Sequence, residues 1–169
     1  MSPARRADAG VVRLPADLVG PDDLELAKAV DEIPGERALP GGSRYEPKWD
    51  GAAAPSFGAV TRRGCARQCK DLTDRFPDIA AAAVRQVEEG VVLDGELLML
   101  VEGRLSFDAL QRRLVTSPAK ARRLVGAVPA SYVAFGLLAV AGVDLRTQRW
   151  TVRRGRLEQL AGSFSPPWS

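Results

Sequence analysis

The chain contains no histidine anywhere in its 169 residues. That removes the Ser-His and Cys-His arrangements on which much nucleophilic catalysis depends. Cysteine is scarce as well: Cys65 and Cys69 stand alone in a C-x-x-x-C arrangement. Structural zinc sites take four Cys or His ligands, so two cysteines without histidine do not fit one. No apolar run approaches the roughly 20 residues that a spanning helix needs. The opening stretch, "MSPARRADAGVV", carries arginines but no long apolar segment of the kind a secretory signal requires. The expectation is a cytoplasmic protein without a membrane partner. Any covalent chemistry must fall to Lys, Asp, Glu, Ser, Thr, Tyr or Cys.

What is present is a globular composition. Apolar residues make up 46% of the chain, enough for one domain with a real core. Twenty-four basic against twenty-one acidic residues leave a net charge of +3. A mildly basic balance fits a nucleic-acid partner without requiring one.

Residues 1–23 are rich in Ala, Arg, Pro and Asp and show no sustained period, so they read as a poorly ordered lead. "LELAKAVDEIP" suggests a turn or two of helix before Pro34, and "GERALPGGS" is a loop by its Gly and Pro content. "RYEPKWD" is a strand candidate that Pro47 places at an edge or bulge. "AAAPSFGAV" and "CARQC" are further strands around a "TRRG" turn. "DLTDRFPDIAAAAVRQVEEG" predicts a helix started by Thr73 or Asp74, with Pro77 in its first turn and Gly90 at its end. "VVLDGELLML" is the strongest strand signal, and its near-continuous apolar run implies burial on both faces. Asp94 and Glu96 are two apart, so both leave the same face. "SFDALQRRL" and "SPAKARRLVGAV" read as helices with Ser caps. "SYVAFGLLAV" is a second buried strand, "TVRRGRLEQLAG" a last helix, and "SFSPPWS" a loop. Strands interleaved with helices over short turns predict an α+β fold with antiparallel sheets. No G-x-G-x-x-G and no P-loop is present.

Lys48 lies in "KWDG", a K-x-D-G pattern that is weak on its own because strand lysines are mostly solvated. Its company strengthens it. Glu96 projects from a buried strand, and carboxylates are seldom buried unless paired, metal-bound or functional. Phe135 lies in the other buried strand, where plain core packing is the simpler reading. The arginine pairs at 62–63, 112–113, 122–123 and 153–154 offer a basic face for DNA phosphates, or simply solvated helix exteriors.

Taken in order, "YEPKWDG", "ARQCKDLTDRFPDI", "VVLDGELLML", "LSFDALQRRL" and "YVAFGLLAVAGVDLR" resemble the motifs of ATP-dependent DNA ligases of the bacterial, actinobacterial type. The resemblance runs over roughly residues 24–160. It implies an antiparallel-sheet nucleotidyltransferase fold, ATP-grasp-like, with residues 24–169 forming a partial adenylation domain that is incomplete at its C-terminus. It implies ATP and Mg²⁺ as cofactors, nicked double-stranded DNA as the partner, and a role in DNA repair and recombination. Lys48 matches the lysine that attacks the α-phosphate of ATP and carries AMP. Glu46 matches the adenine-contacting glutamate and Arg67 the arginine that holds the nucleotide. Glu96 matches the carboxylate that contacts ribose or the metal, and Phe135 the aromatic that stacks on adenine. Asp50 fixes the turn after Lys48 in this reading, or is an ordinary Asp-Gly turn residue.

The departures from the family pattern imply impaired chemistry. Ala53 stands where the family carries arginine, and alanine cannot supply a bidentate fork to phosphate or ribose. Gly136 replaces the Asp that follows the stacking Phe, and Gln68-Cys69 replace Asn-Gly. The later Glu-Gly and Lys-x-Lys segments are not among these residues, so a separate polypeptide is one expected source of them. The alternatives are a catalytically dead remnant that binds nucleotide or DNA weakly, and a related lysine nucleotidyltransferase of the RNA ligase or capping type.

Overall fold

A computed structural model of the chain describes residues 14, 18, 30–45, 57–61, 64–67 and 70–168. Two long strands dominate, β4 (Val92–Val101) and β6 (Ala130–Val140), and they pair antiparallel. On the far side of β4 lie β1 (Phe57–Thr61), β2 (Gly64–Arg67) and β3 (Lys70–Asp71). Two short strands complete the sheet: β5 (Arg104–Leu105) pairs with β4, and β7 (Val143–Asp144) with β6. The order along the sheet is β3-β2-β1-β4-β6-β7, with every strand pairing antiparallel among the described residues. Among the described residues, four helices accompany the sheet: α1 (Pro77–Gln86), α2 (Phe107–Val115), α3 (Pro118–Leu124) and α4 (Trp150–Ala161). The α+β reading with antiparallel pairing is what the chain adopts.

The apolar run of β4 is buried on both faces for a reason its alternation makes plain. Leu93, Leu97 and Met99 join the main core with Phe76 and Ile79 of the α1 region, Leu110 of α2 and Leu157 of α4. Val92 joins a second, smaller cluster with Leu18, Leu138 and Ala139. Each fully buried aliphatic or aromatic side chain contributes roughly 1.5–3 kcal/mol. Most of that sits on the helix-covered face, so that face anchors the sheet.

The short strands β5 and β7 were not expected from sequence. Both arise from two-residue turns. Glu102 (φ 52°) and Gly103 (φ 75°) fold β5 back on β4, and Ala141 (φ 49°) and Gly142 (φ 78°) fold β7 back on β6. Left-handed backbone at both turn residues is the geometry whose twist matches antiparallel strands, and glycine at the second position eases it. The "VEGR" and "AG" turns are thus hairpins.

Helix α1 departs from expectation at both ends. Asp71 Oδ1 accepts the Thr73 N–H at 2.8 Å, which turns the chain before the helix can start. The helix begins at Pro77, behind a fully buried Phe76, and ends at Gln86. Val87 is already extended, and Gly90 (φ 82°) instead reverses the chain into β4. The Ser caps of α2 and α3 hold as expected. Ser106 Oγ accepts from the Ala109 N–H at 3.3 Å, and Ser117 Oγ from the Lys120 N–H at 3.4 Å.

Two features tie the helices to the sheet. Arg113, of the "QRRL" arginine pair, is not on a basic face: it is 1% exposed. Its guanidinium donates to both Asp78 oxygens, to the Arg75 carbonyl at 2.9 Å and to the Val128 carbonyl at 3.1 Å. The stretch read as a closing loop is also anchored. Trp168 is buried, its ring 4.9 Å from that of Tyr132 and 5.6 Å from that of Phe164. The Tyr132 N–H donates to the Pro167 carbonyl at 2.9 Å. The basic-face alternative is weakened again at α4, where Arg154 pairs with Glu158 at 2.8 Å.

Candidate functional site

The strand pair β4–β6 places the residues of interest. Residues directly opposed across antiparallel strands share a face. Glu96 faces Val133, Gly95 faces Ala134, and Asp94 faces Gly136. Phe135 has no partner in this register: it is the extra residue of a bulge opposite the Asp94–Gly95 step. Bulges re-aim side chains locally. Glu96 and Phe135 are therefore neighbours on adjacent strands, one in regular register and one at a kink. Glu96 is buried, at 3% exposure, while Phe135 is partly exposed.

Asp94 and Glu96 leave β4 on the face of Val92, away from the helix-packed core. Asp94 has a pKa pushed up to about 6, chiefly by burial; the Gly95 N–H and the Arg153 cation oppose that rise. Its Oδ1 is buried without a hydrogen-bond partner. Gly136 is what makes room for it: a Cβ there would lie 2.9 Å from the Asp94 Cβ and 3.2 Å from its Oδ2.

The glycine between the two acids serves the other face. Tyr132 is fully buried and its hydroxyl donates to the Leu93 carbonyl at 3.2 Å. A Cβ at Gly95 would sit 2.7 Å from the Tyr132 Oη and strike the Val133 carbonyl oxygen. In "DGE", then, the acids line one face and the glycine admits a tyrosine on the other.

Arg67 ends β2, where it pairs with Lys70 at the far side of the sheet. Glu46 and Lys48 lie outside the described residues, as do Asp50 and Ala53. The structure thus brings Glu96 and Phe135 together and adds Asp94, which the sequence reading placed on the Glu96 face but gave no role. The two-residue spacing was the signal; the orphaned oxygen was not legible.

Comparison with known proteins agrees on ancestry. The family described as the ATP dependent DNA ligase domain matches residues 25–166. DNA ligase C2 of Mycolicibacterium smegmatis is 36% identical over 143 residues, covering 83% of this chain and 38% of that protein. DNA ligase C of Mycobacterium tuberculosis is 34% identical over 134 residues, covering 78% of this chain and 36% of that protein. Among solved structures, a mycobacterial DNA ligase D complexed with ATP and MES is 28% identical, with a TM-score of 0.47, over 63% of this chain and 33% of that one. The chain spans well under half the length of these relatives. With its matched region running nearly from end to end, the chain belongs to the ATP-dependent DNA ligase domain family.

Proposed function

We propose that the chain supplies the nucleophile-bearing part of a DNA ligase adenylation site, with Lys48 as the residue that becomes AMP-linked. Supporting this reading above all is the juxtaposition of buried Glu96 and bulged Phe135 on paired strands, in a chain whose family match includes Lys48. The neutral Lys48 amine attacks the α-phosphorus of ATP. A P–N bond forms, the α–β phosphoanhydride bond breaks, and pyrophosphate leaves. A lysine near its ordinary pKa of about 10.4 is mostly protonated at neutral pH, so the amine must first lose its proton to water. Phe135 stacks on adenine, Glu46 contacts the base, Arg67 holds the nucleotide and Glu96 contacts ribose or metal.

The donor set of β4 fits a divalent cation. Asp94 presents a partnerless buried oxygen on the face it shares with Glu96. Mg²⁺ keeps several waters, so one or two carboxylates suffice as its protein ligands. When bound, Mg²⁺ would neutralise triphosphate charge. Asp94 and Glu96 would hold it there.

In this reading, the 169 residues alone form lysyl-AMP poorly. Ala53 offers no guanidinium to the nucleotide, and a single missing donor of transition-state charge costs about 10²–10³ in rate. Nicked DNA is the strand-joining substrate that family membership suggests. The test is incubation with α-labelled ATP and Mg²⁺, then denaturing electrophoresis beside a full-length ligase and the Lys48→Ala variant. A label roughly 10²–10³-fold below that of the full-length enzyme, absent from Lys48→Ala, is expected. A polypeptide carrying Glu-Gly and Lys-x-Lys segments, added in trans, should raise it. Label that survives Lys48→Ala would remove Lys48 as nucleophile, and label matching the full-length ligase would remove the impairment.

A further inference from the structure

A cavity of about 890 Å³ opens between the loop before Tyr45 and the start of α4. Neither Glu96 nor Phe135 lines it. Its charged lining side chains are Arg44 and Arg149, with no carboxylate among the described lining residues. Both arginines are exposed; among the described residues Arg149 enters no ion pair, and Arg44 donates only to the Ser43 carbonyl beside it. Two aromatic side chains, Tyr45 and Trp150, share the lining, at 57% and 37% exposure.

The walls are set by their own bonding. Ser43 donates twice into the loop, through its N–H to the Glu36 carbonyl at 2.7 Å and through its hydroxyl to the Gly35 carbonyl at 3.2 Å. Gly41 and Gly42 take the left-handed φ values of 90° and 83° that the loop's reversal needs. The Tyr45 hydroxyl donates to the Pro34 carbonyl at 2.6 Å, which fixes the ring's edge. Across the cavity, α4 begins at Trp150 with no side-chain cap and no acidic residue in its first turn. The arginines and the cavity are primary here; the helix end adds a weaker preference for negative charge.

A concave site with two unopposed guanidinium groups and two aromatic rings has the chemistry of a single-stranded nucleic-acid groove, in which phosphates meet arginine and bases meet ring faces. We propose that this cavity holds one or two nucleotides of the DNA strand flanking the nick, a phosphate between Arg44 and Arg149 and a base against Trp150 and Tyr45. The proposal rests on the DNA-joining reading above. It assigns that reading a strand-holding subsite whose lining includes neither Glu96 nor Phe135.

The test is binding of a fluorescently labelled nicked duplex across a salt series, for wild type, Arg44→Gln/Arg149→Gln, Trp150→Phe and Trp150→Ala. The four side chains are at least one-third exposed, and far-UV circular dichroism checks that each variant folds. The double arginine variant should bind about tenfold more weakly near 0.1 M salt and lower the slope of log affinity against log salt by about 1. Trp150→Ala should weaken binding roughly fivefold or more, and Trp150→Phe should retain most of it. If wild type binds the duplex and the variants match it in affinity and slope, the subsite is wrong while the DNA-joining reading stands. If wild type binds no DNA even at low salt, both fall. If ATP alone displaces the duplex from wild type and binds the arginine variant as weakly as DNA does, the cavity belongs to a mononucleotide and the strand assignment is overturned.

Discussion

Arg113 and Asp78 lie on different helices, 35 residues apart, and meet in a two-pronged pair at 3.0 and 2.9 Å with Arg113 closed off from solvent. Asp78 also accepts the Ala130 N–H at 2.8 Å, at the first residue of β6. The guanidinium lies 5.7 Å from the centre of the Phe76 ring. One ion pair therefore fastens α1, α2 and the start of the strand that carries Phe135.

Arg113→Ala should destabilise the fold by about 3–5 kcal/mol, because it leaves the Asp78 carboxylate buried without its cation. Arg113→Lys should recover only part of that loss, since an ammonium cannot reproduce the fork or reach both carbonyls. Arg112→Ala, at the exposed neighbour, should fall within about 0.5 kcal/mol of wild type. Urea unfolding of the three variants checks the order.

Asp94 should make stability depend on pH in the direction opposite to most carboxylates. Its pKa is about 6 in the fold against 3.8 for the free group. Between those values the folded chain binds more protons than the unfolded one. This contribution is fully present below about pH 4 and is lost as pH rises through about 6. Asp94→Asn should flatten that fall and gain on the order of 1–2 kcal/mol at pH 7. Urea midpoints at pH 4, 5, 6 and 7 for both proteins would show it; parallel profiles would contradict the assignment. Gly136→Ala should cost roughly 1–3 kcal/mol by crowding the same carboxylate.

Gly95→Ala should be more damaging than its size suggests. Its Cβ meets backbone at Val133 and the Tyr132 ring, neither of which can yield without opening the β4–β6 pair. A loss above about 2 kcal/mol is expected. Tyr132→Phe removes the bond to the Leu93 carbonyl and should cost about 1 kcal/mol. Comparing thermal melts of the two separates steric from polar effects.

Trp168→Ala should cost about 3–5 kcal/mol, and Trp168→Phe markedly less. The indole nitrogen is buried without a partner, so Phe sacrifices area but no hydrogen bond. Loss of the near-ultraviolet dichroism of the Tyr132–Trp168 pair would report the same event spectroscopically.

Much of this was legible in the residues. The run 91–100 announced β4, and the Ser caps announced α2 and α3, because those signals are local. Arg113 was not legible: side by side with Arg112, it carries nothing in its own neighbourhood to say that helical phase turns one inward and the other out. Trp168 follows "SPP", which reads as a loop, and only the distant Tyr132 explains its burial. The start of α1 slipped from Thr73 or Asp74 to Pro77 because Asp71 captured the Thr73 N–H first. Asp94 could be placed on the Glu96 face by spacing alone, but its orphaned oxygen depends on Gly136 in another strand. Lys48 and Glu46 lie outside the described residues, and their roles rest on the family pattern.

The alternation along β4 has a consequence for how such a chain can change over generations. Leu93, Gly95, Leu97 and Met99 answer to the helices, whereas Asp94 and Glu96 answer to whatever occupies the opposite face. Inheritance can therefore exchange the acids at 94 and 96 while the odd-numbered positions keep the sheet assembled. A lineage can exchange the residues at 94 and 96 without passing through an unfolded ancestor.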